Sequence, residues 1–392
     1  MNKNKQKNTI INANKSFEEA IKNNFSTSVK STPPPPSKND DDDFFYPVSS
    51  NFNPKSTTIT TAGGKKKFCP IVSVCTPTFN RRPFIEMMFE CFRNQNYPKN
   101  SIEWIIVDDG TDPIQDLIEK SEINQIKYYK IAKKMSLGKK RNFMHTKCSG
   151  TIIVYMDDDD YYPPDRISHS VEKLLENKNA LCAGSSEIYI YFKHIQKMIQ
   201  CGPYNQNHAT AGTFAFKSEL LKQTKYDDDA ALAEEKSFLK NYTIPFVQLD
   251  PLKTILVFSH NHNTFDKKKM LENMHKDFCK ESSKPVSMFI RGKNTEKIQK
   301  FFLEEIDGLL EKYDFGNPQH KPDVLENIKK IDKERKELAA TNPANTGQQK
   351  IMMKQPDGTE RELTPQDLIN IIQQQNQQIQ QLTQELNNLR KI

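Results

Sequence analysis

A chain of 392 residues, 35% of them hydrophobic and with a mean hydropathy of −0.76, is long enough for one large domain with polar tails, or for two domains. Its 57 basic and 50 acidic residues leave a net charge of +7, a mild excess that permits anionic partners without implying specific nucleic-acid binding. No run approaches the ~18 apolar residues of a membrane helix, and the start MNKNKQKNTI lacks the apolar core of a signal peptide. The expectation is a protein without a membrane span, not secreted, and either cytoplasmic or packaged from the cytosol. The seven cysteines are scattered, odd in number and free of CxxC spacing, so they read as reduced thiols that fill the core.

Residues 1–66 read as a disordered tail. They hold TPPPPS, NDDDD and STTITTAGGKKK, with too few large apolar residues to build a core. From Phe68 the texture changes. CPIVSVCTPTFN is a β-rich run ending in a loop, and RRPFIEMMFECFRNQ follows at helical spacing, with Phe84, Met87, Met88, Cys91 and Phe92 on one face. IEWIIVDDG is a second buried strand. TDPIQDLIEK starts a helix with Thr111 or Asp112 as its cap. IKYYKI is a third strand, LGKKRNFMHTKC a helix and GTIIVYM a fourth strand. Continuous apolar strands alternating with helices indicate a parallel α/β sheet covered on both faces. Such sheets bind ligands at the carboxyl ends of their strands, so the loops TPTFN, DDG and DDDD can converge on one crevice.

The second half is less regular. ALCAGSSEIYIYF, HIQKMIQCG, FVQLD and KTILVFSH read as strands, AGTFAFKSELLKQ as a strand running into a helix, and ALAEEKSFLKNY as a helix. Residues 283–345 form a helical extension and linker, helical at 294–313 and 322–338 and outside the core sheet. Residues 346–364 resemble a hairpin around Asp357-Gly358. In residues 365–392, Leu368, Ile372, Gln375, Ile379, Leu382, Leu386 and Leu389 alternate by four and three. That is a short heptad seam with one polar interruption, which implies a coiled coil joining copies of the chain, or a helix packed on its own domain or on another partner.

The run VYMDDDDYYPPDRI places four aspartates directly after a buried strand. Like charges this close repel unless a cation or buried donors compensate. Hard cations such as Mn²⁺ and Mg²⁺ prefer carboxylate oxygens and are often shared with phosphates. A carboxylate-held cation at the mouth of a parallel sheet therefore suggests a nucleoside diphosphate as co-ligand.

The elements PIVSVCTPTFNRR, IEWIIVDDGTD, LGKKRNFMHTKCSGTIIVYMDDDDYYPPDRI and ALAEEKSFLKNY stand in the order and spacing of family-2 inverting glycosyltransferases of the GT-A fold, and the chain resembles that family over roughly residues 68–265. The resemblance implies a mixed, Rossmann-like sheet flanked by helices, in a domain spanning residues 67–282. It implies transfer of a sugar from a nucleotide-sugar, most often a UDP-sugar, to a glycan, protein or small-molecule acceptor, with Mn²⁺ or Mg²⁺ as cofactor. Carried onto this sequence, the loop after the first strand gives Thr76, Pro77, Thr78 and Asn80 at the nucleoside. Asp108 or Asp109 reads the base, as a carboxylate can accept a uracil N–H, and Arg141 lies near the nucleotide. Asp159 is the direct metal ligand of the DxD motif. Asp157 and Asp158 contact ribose, sugar, metal or metal-bound water. His260, with His262 as the alternative, completes the metal site. The family's catalytic Glu-Asp pair appears here as Glu234-Glu235, with Glu235 in the aspartate's place and one methylene longer. Asp227-Asp228-Asp229 reads as acceptor-side or solvated.

Other classes fit less well. A sugar nucleotidyltransferase wants a glycine-rich phosphate loop, and CTPTFN has no glycine. A glycoside hydrolase uses two carboxylates without a nucleotide crevice. An inactive, GT-A-like scaffold assembled through the coiled coil is the alternative to an enzyme.

Overall fold

The structure, a computed structural model, describes residues 46–49, 52–61, 63–231, 235–260, 278–313 and a few positions between and beyond these. In chain order, β1 (Tyr46–Ser49), β2 (Thr57–Thr60) and β3 (Lys66–Cys69) precede β4 (Val72–Thr78), α1 (Ile85–Asn94), β5 (Ile102–Asp108), α2 (Gln115–Ser121), β6 (Ile126–Lys130), α3 (Leu137–Lys147) and β7 (Ile152–Tyr155). There follow α4 (Arg166–Glu176), β8 (Cys182–Gly184), β9 (Ile188–Phe192), β10 (Lys197–Cys201), β11 (Ala215–Lys217), α5 (Glu235–Phe238), β12 (Phe246–Gln248), β13 (Val257–Ser259) and β14 (Cys279–Ser282). Last come α6 (Thr295–Lys300), α7 (Ile306–Glu311) and a hairpin of β15 (Met352–Lys354) with β16 (Glu360–Glu362).

The main sheet runs β1-β6-β5-β4-β7-β11-β8-β12. β6, β5, β4 and β7 are parallel, with Cys75 opposite both Ile105 and Tyr155, and β11 runs antiparallel between β7 and β8. This is the mixed, helix-flanked sheet implied by the GT-A resemblance. Every residue of β5 is buried. Its side chains divide by the period of two that a strand imposes. Trp104 and Ile106 join Val74, Phe89 and Phe92 on one face, and Ile105 and Val107 join Cys75 and Met144 on the other. The Trp104 ring stacks on Phe92 at 4.3 Å, which fixes α1 against the sheet. A second, four-stranded sheet, β13-β9-β10-β14, carries the chain back toward the acid run.

The helix at TDPIQDLIEK begins later than expected, at Gln115, without a side-chain cap from its own turn. Asp112 is instead gripped by Arg82 (3.1 and 2.9 Å), and the Ile114 N–H donates to Asp108 Oδ2 at 3.2 Å. The stretch expected to be tail also contributes structure. β1 pairs antiparallel with β6, and β2 with β3, so the folded chain starts before residue 66. Thr-rich TTIT carries strand propensity without hydrophobicity, which hides it from a search for apolar runs.

Residues 283–313 lie outside the sheets, as expected, but their apolar side chains pack into the core. Ile298, Phe301, Phe302, Ile306 and Leu310 are buried, Phe302 stacks on Phe258 of β13 at 4.4 Å, and Phe301 meets the edge of Phe84 at 6.4 Å. Their helical spacing forms one apolar face. All seven cysteines are free thiols and all but Cys148 are buried. Among the described residues no helix is long and apolar enough to cross a membrane. Residues 1–45 and the coiled-coil stretch 365–392, apart from Gln374 and Gln375, lie outside the described residues.

Candidate active site

Three loops leave the carboxyl ends of β4, β5 and β7 side by side. The first and second are stitched by Asn80, whose φ of 51° puts it in the left-handed region that asparagine tolerates better than most residues. Asn80 Oδ1 accepts the N–H groups of Thr111 (2.8 Å) and Asp112 (3.1 Å). The stitch requires Gly110: a Cβ there would stand 2.5 Å from Asn80 Oδ1. Asp108 is committed to the fold. It accepts hydrogen bonds from the Gly110 N–H (2.9 Å), the Tyr128 hydroxyl (2.7 Å) and the Ile114 N–H. Asp109 accepts the Met135 N–H at 2.7 Å and forms a buried ion pair with Lys140. Lys140 also donates to the Thr78 carbonyl (3.0 Å) and sits 5.9 Å from the half-buried Phe79 ring, with Lys134 at 5.5 Å. An aromatic face, a carboxylate and two ammonium groups thus share the mouth of the crevice.

The third loop carries the acid run. Arg81, buried at the end of the first loop, reaches between two of its members, 3.7 Å from Asp158 Oδ1 and 3.8 Å from Asp159 Oδ2. His260, after β13, places Nε2 3.4 Å from Asp159 Oδ2 and 2.8 Å from Asn263 Nδ2. Phe84 packs on the imidazole at 4.8 Å. Burial pushes the Asp158 carboxyl up to about 7, against the pull of Arg81 and with the push of Asp159 and Asp157. Burial, joined by the charge of Asp159, also raises Asp160. At Asp159 burial opposes ionisation, but the contact with His260 and the charge of Arg81 outweigh it and hold the carboxyl below the usual range. His260 is pushed down to about 4 by burial, so its ring is neutral near pH 7, the state in which imidazole can bind a metal.

The residues present fit a divalent cation by chemistry and charge. The guanidinium of Arg81 stands beside Asp158 and Asp159, the charge of Lys267 acts on Asp159 and Asp160, and Asp158 Oδ2 and Asp160 Oδ1 are buried with no hydrogen-bond partner among the described residues. Carboxylate oxygens with one imidazole suit Mg²⁺ or Mn²⁺. Among the described residues no three His, Cys, Asp or Glu side chains already converge as a metal cluster. Asp159 and His260 meet. Asp157 is oriented by neighbours instead: its N–H donates to the Tyr162 hydroxyl (2.7 Å), and a Cβ on Gly212 would lie 2.9 Å from its Oδ2.

Gly212 links the acid run to Glu235. The adjacent Ala211 N–H donates to Glu235 Oε1 at 3.0 Å, so the start of α5 lies across one short turn from Asp157. Glu234 and His262 lie outside the described residues. Two other expected residues sit elsewhere. Thr76 is in the core, donating to the Met156 carbonyl (2.6 Å) and accepting from Trp104 Nε1 (2.9 Å). Arg141 lies over the rings of Tyr155 (4.7 Å) and Tyr226 (5.4 Å), on the covered side of α3. One residue on a helix is a turn of 100°, so it is Lys140 that reaches the crevice. Pro77 is half-buried and Thr78 buried beside it. Asp227–Asp229 dock along the first half of α3, where Asn142 Nδ2, at mid-helix, donates to Asp228 Oδ1 at 2.6 Å. Phe79, Arg81, Lys140 and Asn263 were not picked out from the sequence. A usable signal existed for Arg81: a basic residue directly after TPTFN, in a loop that must face four aspartates.

Residues 73–226 match the model of glycosyl transferase family 2. Among curated proteins, the chain is 29% identical over 114 residues to a putative teichuronic acid biosynthesis glycosyltransferase, TuaG, of Bacillus subtilis, covering 28% of this chain and 44% of that one. It is 24% identical over 121 residues to an uncharacterized glycosyltransferase of Haemophilus influenzae, covering 30% and 47%. The chain thus spans less than half the length of either relative. Similar solved structures include a mannosyltransferase, PcManGT, from Pyrobaculum calidifontis in complex with GDP-Man and Mn²⁺, at 14% identity and a TM-score of 0.41, covering 71% of this chain and 82% of that one. Another is S. aureus TarS 1–349 in complex with UDP-GlcNAc, at 14% identity and a TM-score of 0.39, covering 75% and 96%.

Proposed function

We propose that this chain, matched over residues 73–226 by glycosyl transferase family 2, moves a sugar from a nucleotide-sugar to an acceptor hydroxyl with inversion at the anomeric carbon. The observation that carries the reading is the meeting of Asp158, Asp159, Arg81 and His260 at one strand end, with Glu235 across a short turn. The nucleobase packs against Phe79, and Asp109, steadied by Lys140, accepts its N–H. Arg81 fixes the spacing of Asp158 and Asp159 and offers positive charge toward the departing diphosphate. Glu235 takes the proton of the acceptor hydroxyl as that oxygen bonds to the anomeric carbon and the bond from carbon to phosphate oxygen breaks. Asp159 and His260, with Asp157, would hold a Mn²⁺ or Mg²⁺ ion, which when bound supplies Lewis-acid charge for the leaving group. UDP is the nucleotide expected, by family habit.

Calorimetric titration of UDP into wild type and Asp159→Asn, each with and without Mn²⁺, tests the reading. Metal-dependent binding that the variant loses supports it, and a screen of UDP-sugars for hydrolysis then identifies the donor. No binding of UDP, GDP or TDP with any divalent metal overturns it.

A further inference from the structure

We infer that the aromatic row Tyr242, His208, Tyr204 and Phe278 is an acceptor subsite that takes an uncharged saccharide. The inference rests on the reading of Glu235 as the base. The four rings come from three segments of the chain, Tyr204 and His208 sharing one loop, and form one contiguous series. His208 lies 5.3 Å from Tyr242 and 4.8 Å from Tyr204, and Tyr204 lies 5.4 Å from Phe278. The row starts beside Glu235, whose negative charge, after burial, helps to raise the Tyr242 hydroxyl's pKa. His208 stands three residues before Ala211, the residue that holds the Glu235 carboxylate. From there the row runs outward to two rings left open to solvent, Tyr204 at 40% and Phe278 at 43% exposure.

The chain spends structure to present these rings. Lys240, Asn241 and Tyr242 have φ values of 48°, 56° and 61°, three consecutive non-glycine residues in the left-handed region. Such residues cost energy and persist where the surroundings demand them, often at functional sites. On the opposite side, Gln248 Nε2 brackets the loop before β11, donating to the carbonyls of Gln206 (2.8 Å) and His208 (2.9 Å), while its Oε1 accepts the Ser186 N–H at 2.9 Å.

The chemistry selects the ligand. A pyranose has an apolar C–H face and a rim of hydroxyls. Flat rings with a polar tip match both: Tyr204 and Phe278 supply apolar faces, and the Tyr242 hydroxyl supplies a hydrogen-bonding tip, while the Tyr204 hydroxyl is turned to the Cys279 thiol. His208 Nδ1 is buried with no hydrogen-bond partner among the described residues, a polar atom suited to a sugar hydroxyl. Burial lowers the His208 pKa, so the row carries no formal charge near neutral pH. An anionic or cationic acceptor would find no counter-charge in these four rings.

The test is saturation-transfer NMR on the full chain. The probes are methyl glycosides and disaccharides of glucose, galactose, mannose and N-acetylglucosamine, each with and without UDP and Mn²⁺. At least one probe should receive saturation on its ring protons. Its affinity should fall by about tenfold in Tyr204→Ala and in Phe278→Ala, both at exposed positions where folding is not at stake. Phe278→Trp should keep the signal, as should Ile195→Ala, an exposed apolar residue elsewhere. If UDP binds but no saccharide receives saturation, or if both alanine variants bind like wild type, the subsite is overturned while the donor reading stands. If UDP does not bind but saccharide saturation depends on the two rings, the sugar subsite stands and the donor reading falls.

Discussion

The carboxylate of Glu235 is oriented before any substrate arrives, because Oε1 accepts the Ala211 N–H at 3.0 Å. A general base contributes typically 10²–10⁴-fold. Glu235→Gln, which keeps the hydrogen bond but not the basicity, should lower kcat for transfer by about 10²- to 10⁴-fold, with the donor KM moving far less. Equal activity in steady-state assays would remove Glu235 from the mechanism. A second residue sets an acid limit on stability. His145 is enclosed by Tyr155, Phe216, Tyr226 and Phe238, with its Nε2 2.7 Å from the Tyr155 hydroxyl. Burial, and then the charge of Arg141, push it down to about 3. Below its ordinary value of about 6.5 the unfolded chain binds a proton that the folded chain refuses. The contribution is therefore present above that pH and is lost as pH falls through the window from about 6.5 toward 3. Urea midpoints measured from pH 7 to pH 4 should drop, and His145→Gln should flatten the drop. An unchanged slope would show that His145 stays solvated.

Glycines separate the rigid seams between elements from the open ones. At Gly110 a Cβ would meet the Asn80 backbone nitrogen at 2.7 Å as well as its side chain, so the loops after β4 and β5 must part to admit it. Gly110→Ala should cost about 1–3 kcal/mol by urea unfolding and should weaken UDP binding in calorimetry. Gly308, in α7, faces open space, with nothing within 4 Å of where a Cβ would stand, and Gly308→Ala should stabilise by about 0.5–1 kcal/mol through helix propensity. If both variants shift alike, the crevice seam is not as tight as its geometry. The same contrast explains what could be read in advance. β4, β5 and β7 are legible because strands buried on both faces are continuous apolar runs, and their loops must then emerge on one edge. Three-residue strands such as β8, β11, β12 and β13 each fall inside a stretch read as a strand, but they carry too few positions to show a period, so their ends and their sheet partners were not legible. Side-chain direction was legible least. Thr76 and Arg141 sit within one or two residues of crevice positions, yet both point into the core, and a loop motif does not reveal which residues turn inward.

At the scale of the whole molecule, the question is where the folded unit ends. The resemblance implied an end near residue 282, but Val286, Phe289, Ile290, Ile298, Phe301, Phe302, Ile306 and Leu310 are all buried, and Phe84, which packs on His260, rests against Phe301. Losing a single buried phenylalanine side chain costs about 3–5 kcal/mol, and a domain's net stability is only about 5–15 kcal/mol. A chain of residues 46–282 should therefore fail to unfold cooperatively in urea, whereas 46–313 should keep a single transition and bind UDP as the full chain does. Equal midpoints for the two would place the helical face outside the folding unit. Sedimentation of the full chain against 46–313 asks the complementary question of the heptad seam at 365–392. A larger species for the full chain alone assigns self-association to the C-terminal segment, and matching monomers would leave that seam to pack on its own domain or on another partner.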